Sequence, residues 1–191
     1  MAEYSIKDIS VRIKNVENTR QIVKAMELIS SSKLQKYRVR LEKTRPFSDS
    51  LNESIKTIFK SDDFKNFMCG KKIDSDSSCY IVIGGDKGLA GGYNTNILKL
   101  FEKYSDYKNG IVLPIGKKVI DYLYIKNFDF LSDQFCVCEK ISFEDCKKIS
   151  DILLKEYFGG KFNKIFLIYT KFISSLKQIS SIVKLFPVDI E

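Results

Sequence analysis

The sequence predicts an α/β protein: a long N-terminal coiled-coil helix followed by a small Rossmann-like α/β domain with about five strands, the last of them antiparallel. Three observations carry this. The first forty-odd residues hold one helical apolar pattern without Gly or Pro; from Cys79 onward, short apolar runs alternate with amphipathic helices; and a glycine-rich turn, Asp86 to Asn94, follows the first of those runs.

In the N-terminal arm, Ile6, Ile9, Ile13, Val16, Val23, Met26, Leu34, Tyr37 and Leu41 recur mostly three or four residues apart, broken early at Arg20. They form one apolar stripe. From Tyr4 to Thr44 the helix would run roughly 60 Å, at 1.5 Å per residue. A stripe sustained over several heptads fits a coiled coil, in which a second helix supplies the missing burial. A long core helix of a bundle fits the periodicity equally. Arg45 and Pro46 are expected to kink or end the helix, because proline lacks a donor and disfavours the α conformation before it. A shorter amphipathic stretch, Asp49 to Phe59, comes next. Residues 1–60 are thus read as a shaft helix with a kinked extension, the polar stretch 61–78 as a linker, and 79–191 as the α/β domain.

Within that domain, Cys79 to Gly84 reads as the first strand and Tyr93 to Tyr104 as a helix with Ile97, Leu98 and Phe101 on one face. Gly110 to Ile115 repeats the strand signal, Lys117 to Ile125 the helix, and Phe128 to Val137 reads as a third strand. Ile141 to Phe158 is a helix with Ser142 as N-cap, acidic residues in its first turn and Gly159 at its end. Lys164 to Thr170 and Ser180 to Phe186 close the series. The connection between them is too short for a crossover, so the last strand is expected to be antiparallel.

The formal net charge is +8, and residues 1–60 hold 13 Lys and Arg against 7 Asp and Glu, so most of the surplus lies on the helix. From Arg20 to Arg45, eight cations face only Glu27 and Glu42. An acidic partner is the expected complement: nucleic acid, an acidic protein loop or an anionic membrane surface, with a merely solvated face as the plain alternative. The helical pattern begins at Ile6, so no signal or transit peptide is expected, and no stretch reaches the length of a membrane span. Five cysteines without a CxxC pair argue against a disulfide framework or zinc site. Cys136 and Cys138 read as ordinary alternating strand residues. The absence of histidine removes the usual general base and the commonest metal ligand.

A glycine-rich turn after a first strand is where phosphates bind in Rossmann-like sheets. Gly84, Gly85, Gly88, Gly91 and Gly92 do not form GxGxxG, Lys87 precedes Gly88 rather than Ser or Thr, and Asp86 would repel a pyrophosphate. No cofactor is expected there. A turn that lets a helix pack tightly on the strand, or lets another protein's backbone approach, fits better. A nucleotide-dependent enzyme and a basic coiled-coil adaptor for nucleic acid or acidic proteins stay open as other readings of the residues.

Two strings, NTRQIVKAMELISSSKLQKYRVRLEKTRPF (Asn18 to Phe47) and YIVIGGDKGLAGGYNTNI (Tyr80 to Ile97), resemble the two most recognisable segments of the γ subunit family of F-type ATP synthases. In that family, a basic helix with a KAME motif precedes a Rossmann-like domain opening with D-(R/K)-G-L-x-G-x-x-N. The resemblance extends over essentially the whole chain. It implies a non-catalytic central-stalk rotor that couples proton-driven rotation to ATP synthesis at β subunits, peripheral to the cytoplasmic face of a bacterial inner membrane. The implied partners are the α and β subunits, the ε subunit and the c-subunit ring. The implied subunit-contact residues are Lys24, Met26, Lys33, Asp86, Lys87, Gly88, Gly91 and Asn94, with Lys24 and Met26 meeting an acidic lever loop of β. The family's second shaft helix follows the last strand and has no counterpart up to Glu191. The cysteine-bearing insertion of chloroplast forms is also missing, so no thiol switch is expected.

Overall fold

The computed structural model describes residues 5–59, 77–104 and 110–187, and the chain divides into two compact units, 1–59 and 60–191. The first unit is a single 54-residue helix, α1 (Ile6–Phe59), about 80 Å long at 1.5 Å per residue. It begins at Ser5, whose carbonyl accepts the amides of Asp8 and Ile9. The helix runs on through Pro46, so of the two expected outcomes, a kink or an end, it does not end there. Proline's fixed φ is compatible with a helix, and one missing donor is tolerated where the neighbouring residues are exposed, as they are here.

A second correction concerns the apolar surface of α1. Besides the expected stripe, Val11, Ile22 and Ile29 stand exposed roughly a third of a turn away from it, and Leu28 and Val39 lie in other directions. The stripe is real, but it is not the helix's only apolar face.

The second unit holds β1 (Ser78–Ile83), α2 (Tyr93–Tyr104), β2 (Ile111–Ile115), α3 (Lys117–Ile125), a 3₁₀ turn (Cys138–Lys140), α4 (Phe143–Phe158), β3 (Lys164–Phe172) and β4 (Gln178–Phe186). The described strands make a four-stranded sheet in the order β2-β1-β3-β4, parallel except for the antiparallel β3–β4 pair. Alternation along β1 divides the core. Tyr80 and Val82 pack with Ile97, Phe101, Val112, Val119, Leu123 and Ile168 beneath α2 and α3. Cys79 and Ile81 join Leu113, Ile115, Ile149, Leu153, Tyr157, Phe162 and Ile165 beneath α4. Burial pushes the Cys79 thiol up to about 12, against the opposing pull of Lys161, so it behaves as a small apolar side chain.

The strand count is four rather than about five, because residues 128–137 form no strand. Only Phe130 bridges to Val112, in the parallel sense. Beyond it, local polar chemistry wins. The Gln134 amide donates to the Ser132 hydroxyl, and the Cys136 thiol donates to the Asp133 carbonyl. Cys138 opens the 3₁₀ turn, so Cys136 and Cys138 do not alternate along a strand. Helix α4 is capped as expected. The Ser142 hydroxyl accepts the Asp145 amide, and the Asp145 carboxylate accepts the Ser142 amide. The Ser142 amide and hydroxyl, both donating to Oδ2, hold the Asp145 carboxyl below its ordinary range.

The expected linker, 61–78, lies outside the described residues except for its last two, of which Ser78 opens β1. Cys69 lies outside them as well. Among the described residues, Cys79, Cys136, Cys138 and Cys146 are free thiols, and no helix is long and apolar enough to cross a membrane.

Candidate functional site: the glycine turn and the basic helix

The turn from Gly84 to Asn94 is built from the end of β1, and its geometry follows from what its polar side chains bind. Gly84 sits against α3: a Cβ there would stand 2.3 Å from Val119 Cγ2, so only glycine lets the helix approach the strand this closely. The Gly84 amide donates to the Ile115 carbonyl at 2.8 Å, and the Lys118 amide to the Gly85 carbonyl at 3.1 Å.

Asp86 is the centre of this construction. Its Oδ1 accepts the amides of Lys117 at 3.2 Å and Cys138 at 2.9 Å, and its Oδ2 accepts that of Glu139 at 3.0 Å. One carboxylate thus ties the turn to the first residue of α3 and to the 3₁₀ turn 52 residues further on. Partial burial alone would raise its pKa. The three amide donors and the Lys117 charge outweigh that and hold it below the usual carboxylate range. Asn94 closes the other end. Its Oδ1 accepts the Gly85 amide at 2.8 Å, and its Nδ2 donates to the Lys87 carbonyl at 3.3 Å.

Between these anchors, residues 87–92 are exposed. Gly91 has φ of 56°, and Leu89, which is not glycine, has φ of 58°. A Cβ at Gly88 or Gly91 would meet nothing within 4 Å. Leu89 is 99% exposed. Behind the turn, Tyr93 is half-buried, and burial together with the neighbouring Cys138 raises its phenol pKa. Cys138 is raised in turn by burial and by the charges of Asp86 and Glu139, which disfavours a reactive thiolate.

This arrangement makes no phosphate cradle. Asp86 already holds the first amide of α3, that of Lys117, at the place where a phosphate would bind a helix N-terminus, and it presents a negative charge there. Among the described residues, no group of His, Cys, Asp or Glu is placed to hold a metal ion.

The sequence-proposed contact residues fall into two sets. Asp86, Lys87, Gly88, Gly91 and Asn94 lie together in the turn, but Asp86 and Asn94 are occupied inside it rather than offered to solvent. Lys24, Met26 and Lys33 lie on α1. Two residues apart, Lys24 and Met26 point about 160° from each other around the axis, whereas Met26 and Lys33, seven apart, share a side. Leu89 was passed over in the sequence reading. A large apolar residue directly after Gly88 in a glycine-rich turn was the signal that could have found it.

The protein-family model described as ATP synthase matches residues 5–191. A curated relative, "ATP synthase gamma chain, sodium ion specific" from Acetobacterium woodii, is 34% identical over the full chain, which spans 63% of that relative's length. The ATP synthase gamma chain of Alkaliphilus metalliredigens is 35% identical over 96% of the chain and 64% of its own length. The chain therefore spans a little under two thirds of these relatives. Among solved structures, the central stalk and c-ring of Tetrahymena thermophila mitochondrial ATP synthase matches with TM-score 0.64, 22% identity, 87% of this chain and 72% of that one. The rotor of Euglena gracilis mitochondrial ATP synthase matches with TM-score 0.60, 18% identity, 92% of this chain and 60% of that one. Both share the fold. The nucleic-acid adaptor reading finds no support in these relatives.

Proposed function

The chain belongs to the ATP synthase γ-chain family, and from that premise we propose that it is the non-catalytic central-stalk subunit of an F-type ATP synthase, turning with ion-driven rotation and imposing that rotation on catalytic sites in β subunits. Residues 1–60 act as half of the shaft and residues 79–191 as its foot. In the same reading the shaft runs within the hexamer of α and β, and the foot meets ε and the c-subunit ring at the cytoplasmic face of a bacterial inner membrane. Lys24, Met26 and Lys33 serve as shaft contacts, and Asp86, Lys87, Gly88, Gly91 and Asn94 form or brace a rotor-surface contact with β.

The observation that carries this reading is α1 itself: 54 residues of helix with exposed apolar side chains on several sides, Ile13, Ile22 and Leu28 among them. A single coiled-coil partner covers one stripe. Apolar groups on the remaining sides need protein around the pair as well. The basic surplus between Arg20 and Arg45 adds the electrostatic half of the argument, because it calls for acidic groups on the enclosing subunits. Helix geometry refines the contact: Lys24 and Met26 flank the shaft on different sides and meet different surfaces at any one angle.

The test is reconstitution. The complete gene product, co-expressed with the α and β subunits of its source, should co-purify as an ATP-hydrolysing complex, while the chain alone should show no nucleotide site by calorimetry. Failure to associate overturns the proposal, and so does a micromolar ATP site that vanishes when Asp86 to Gly92 is altered.

A further inference from the structure

We propose that Leu89 is the specific contact residue of the glycine turn: a single apolar knob, held out in advance, that seats in an apolar socket with an acidic rim on a neighbouring protein subunit. Two independent features of the structure meet at this residue. The first is exposure, since the side chain is 99% accessible at the tip of a turn whose Gly88 and Gly91 have no neighbour within reach. The second is conformation. Leu89 has φ of 58°, a left-handed geometry that disfavours side chains with a Cβ and that a glycine at this position would adopt freely. Among the described residues, the other non-glycine residue with positive φ, Asn127, is of a type whose short polar side chain tolerates this region; leucine has no such relief.

The turn is also built to stay as it is. Asp86 fixes its entry through three amides and Asn94 fixes its exit through two hydrogen bonds. A strained, exposed apolar residue on a braced support has no folding rationale, whereas a binding partner benefits because the ordering is complete before contact. The occupant follows from the chemistry of the tip. One leucine between Gly88 and Ala90 is too little apolar surface to hold a membrane, but it suits a socket shaped for one side chain. The exposed Lys87 two residues earlier, which forms no ion pair among the described residues, calls for a carboxylate at the rim.

This inference rests on the rotor reading and names the contact within it, so the probe is the assembled hexamer of α and β subunits. Leu89→Gly and Leu89→Asn both remove the knob while accepting the left-handed backbone, and Leu89→Met keeps the apolar bulk. The isolated Gly and Asn variants should melt at or above the wild-type temperature, yet bind the hexamer roughly tenfold or more weakly, the fold-change expected for one leucine withdrawn from a socket. The Met variant should bind within about threefold of wild type. Wild-type affinity in the Gly and Asn variants overturns the proposal, as does weaker binding accompanied by a lower melting temperature, which would make Leu89 a packing residue. If the unaltered chain itself does not bind, the rotor reading falls with it; unaffected variants of a chain that does bind remove Leu89 alone.

Discussion

At the scale of single residues, the turn shows how one carboxylate can organise chain segments distant in sequence. Asp86 receives three backbone amides, and charge-assisted bonds of this kind are worth more than neutral ones, so Asp86→Ala should destabilise the second unit by about 2 to 4 kcal/mol at neutral pH. The same side chain sets a pH dependence. Its folded pKa lies below the unfolded value, so its contribution is present above the unfolded pKa, near 4, and fades as pH falls through the folded one. The melting-temperature gap between wild type and Asp86→Asn should therefore be widest at pH 6 to 7 and narrow below about pH 4; a gap constant with pH would show that the charge does not matter. Glycines give a sharper contrast. Gly116 has φ of 104°, and a Cβ there would lie 2.3 Å from the Gly84 carbonyl oxygen, whereas Gly88 meets nothing within 4 Å. Gly116→Ala should lower stability by more than about 2 kcal/mol and Gly88→Ala by less than about 1, since only the first combines a backbone clash with a forbidden φ. Equal denaturation midpoints for the two variants would refute this. The sequence marks both positions only as glycines; which of them is crowded depends on the crossing of β1 and α3, which no local pattern encodes.

At the scale of elements, α2 and α3 keep the bounds their sequence patterns suggest because each carries a buried apolar face, and α4 keeps its cap because Ser142 and Asp145 supply it locally. Two expectations met different outcomes. Residues 128–137 have strand-like alternation, but turn residues Ser132 and Asp133 and the pull of Asp86 on Cys138 and Glu139 remove all but the bridge at Phe130. Long-range hydrogen bonding overrode local propensity there. At Pro46 the local rule forecast a kink or an end, and the helical residues on both sides carried the element past it. The proline still removes one donor, and a proline in a helix interior costs about 3 kcal/mol relative to alanine. Pro46→Ala should accordingly raise the far-ultraviolet helical signal and slow amide exchange from about residue 40 to 50. Exchange rates unchanged by the substitution would mean that the helix is no weaker at Pro46 than elsewhere.

At the scale of the whole molecule, the question is what residues 1–191 do in solution with no other subunit present. The second unit has its own core, with Phe101, Phe162, Leu113 and Leu123 fully buried, and should fold by itself. Helix α1 has no such support: Ile6, Ile9, Ile13, Val16, Val23, Met26 and Leu34 are all exposed, Ile6 at 88% and Met26 at 51%. Burying one such side chain contributes about 1.5 to 3 kcal/mol. Seven left in water thus forfeit on the order of 10 to 20 kcal/mol, comparable to the net stability of an entire domain. Helical propensity cannot make up a deficit of that size, because most helical stability in proteins comes from packing an apolar face. The polypeptide 1–191 should therefore either fray over its first forty residues or pair α1 with that of a second molecule. A parallel pair in register would set the cations of Lys33 to Arg45 against themselves, so the antiparallel arrangement is favoured. Added salt should still strengthen self-association, because each helix carries a net positive surplus that repels its copy in either orientation. Sedimentation equilibrium and circular dichroism over a range of protein and salt concentrations will decide: helicity should rise with dimer fraction, and a monomer that keeps α1 fully helical at every concentration would overturn the prediction.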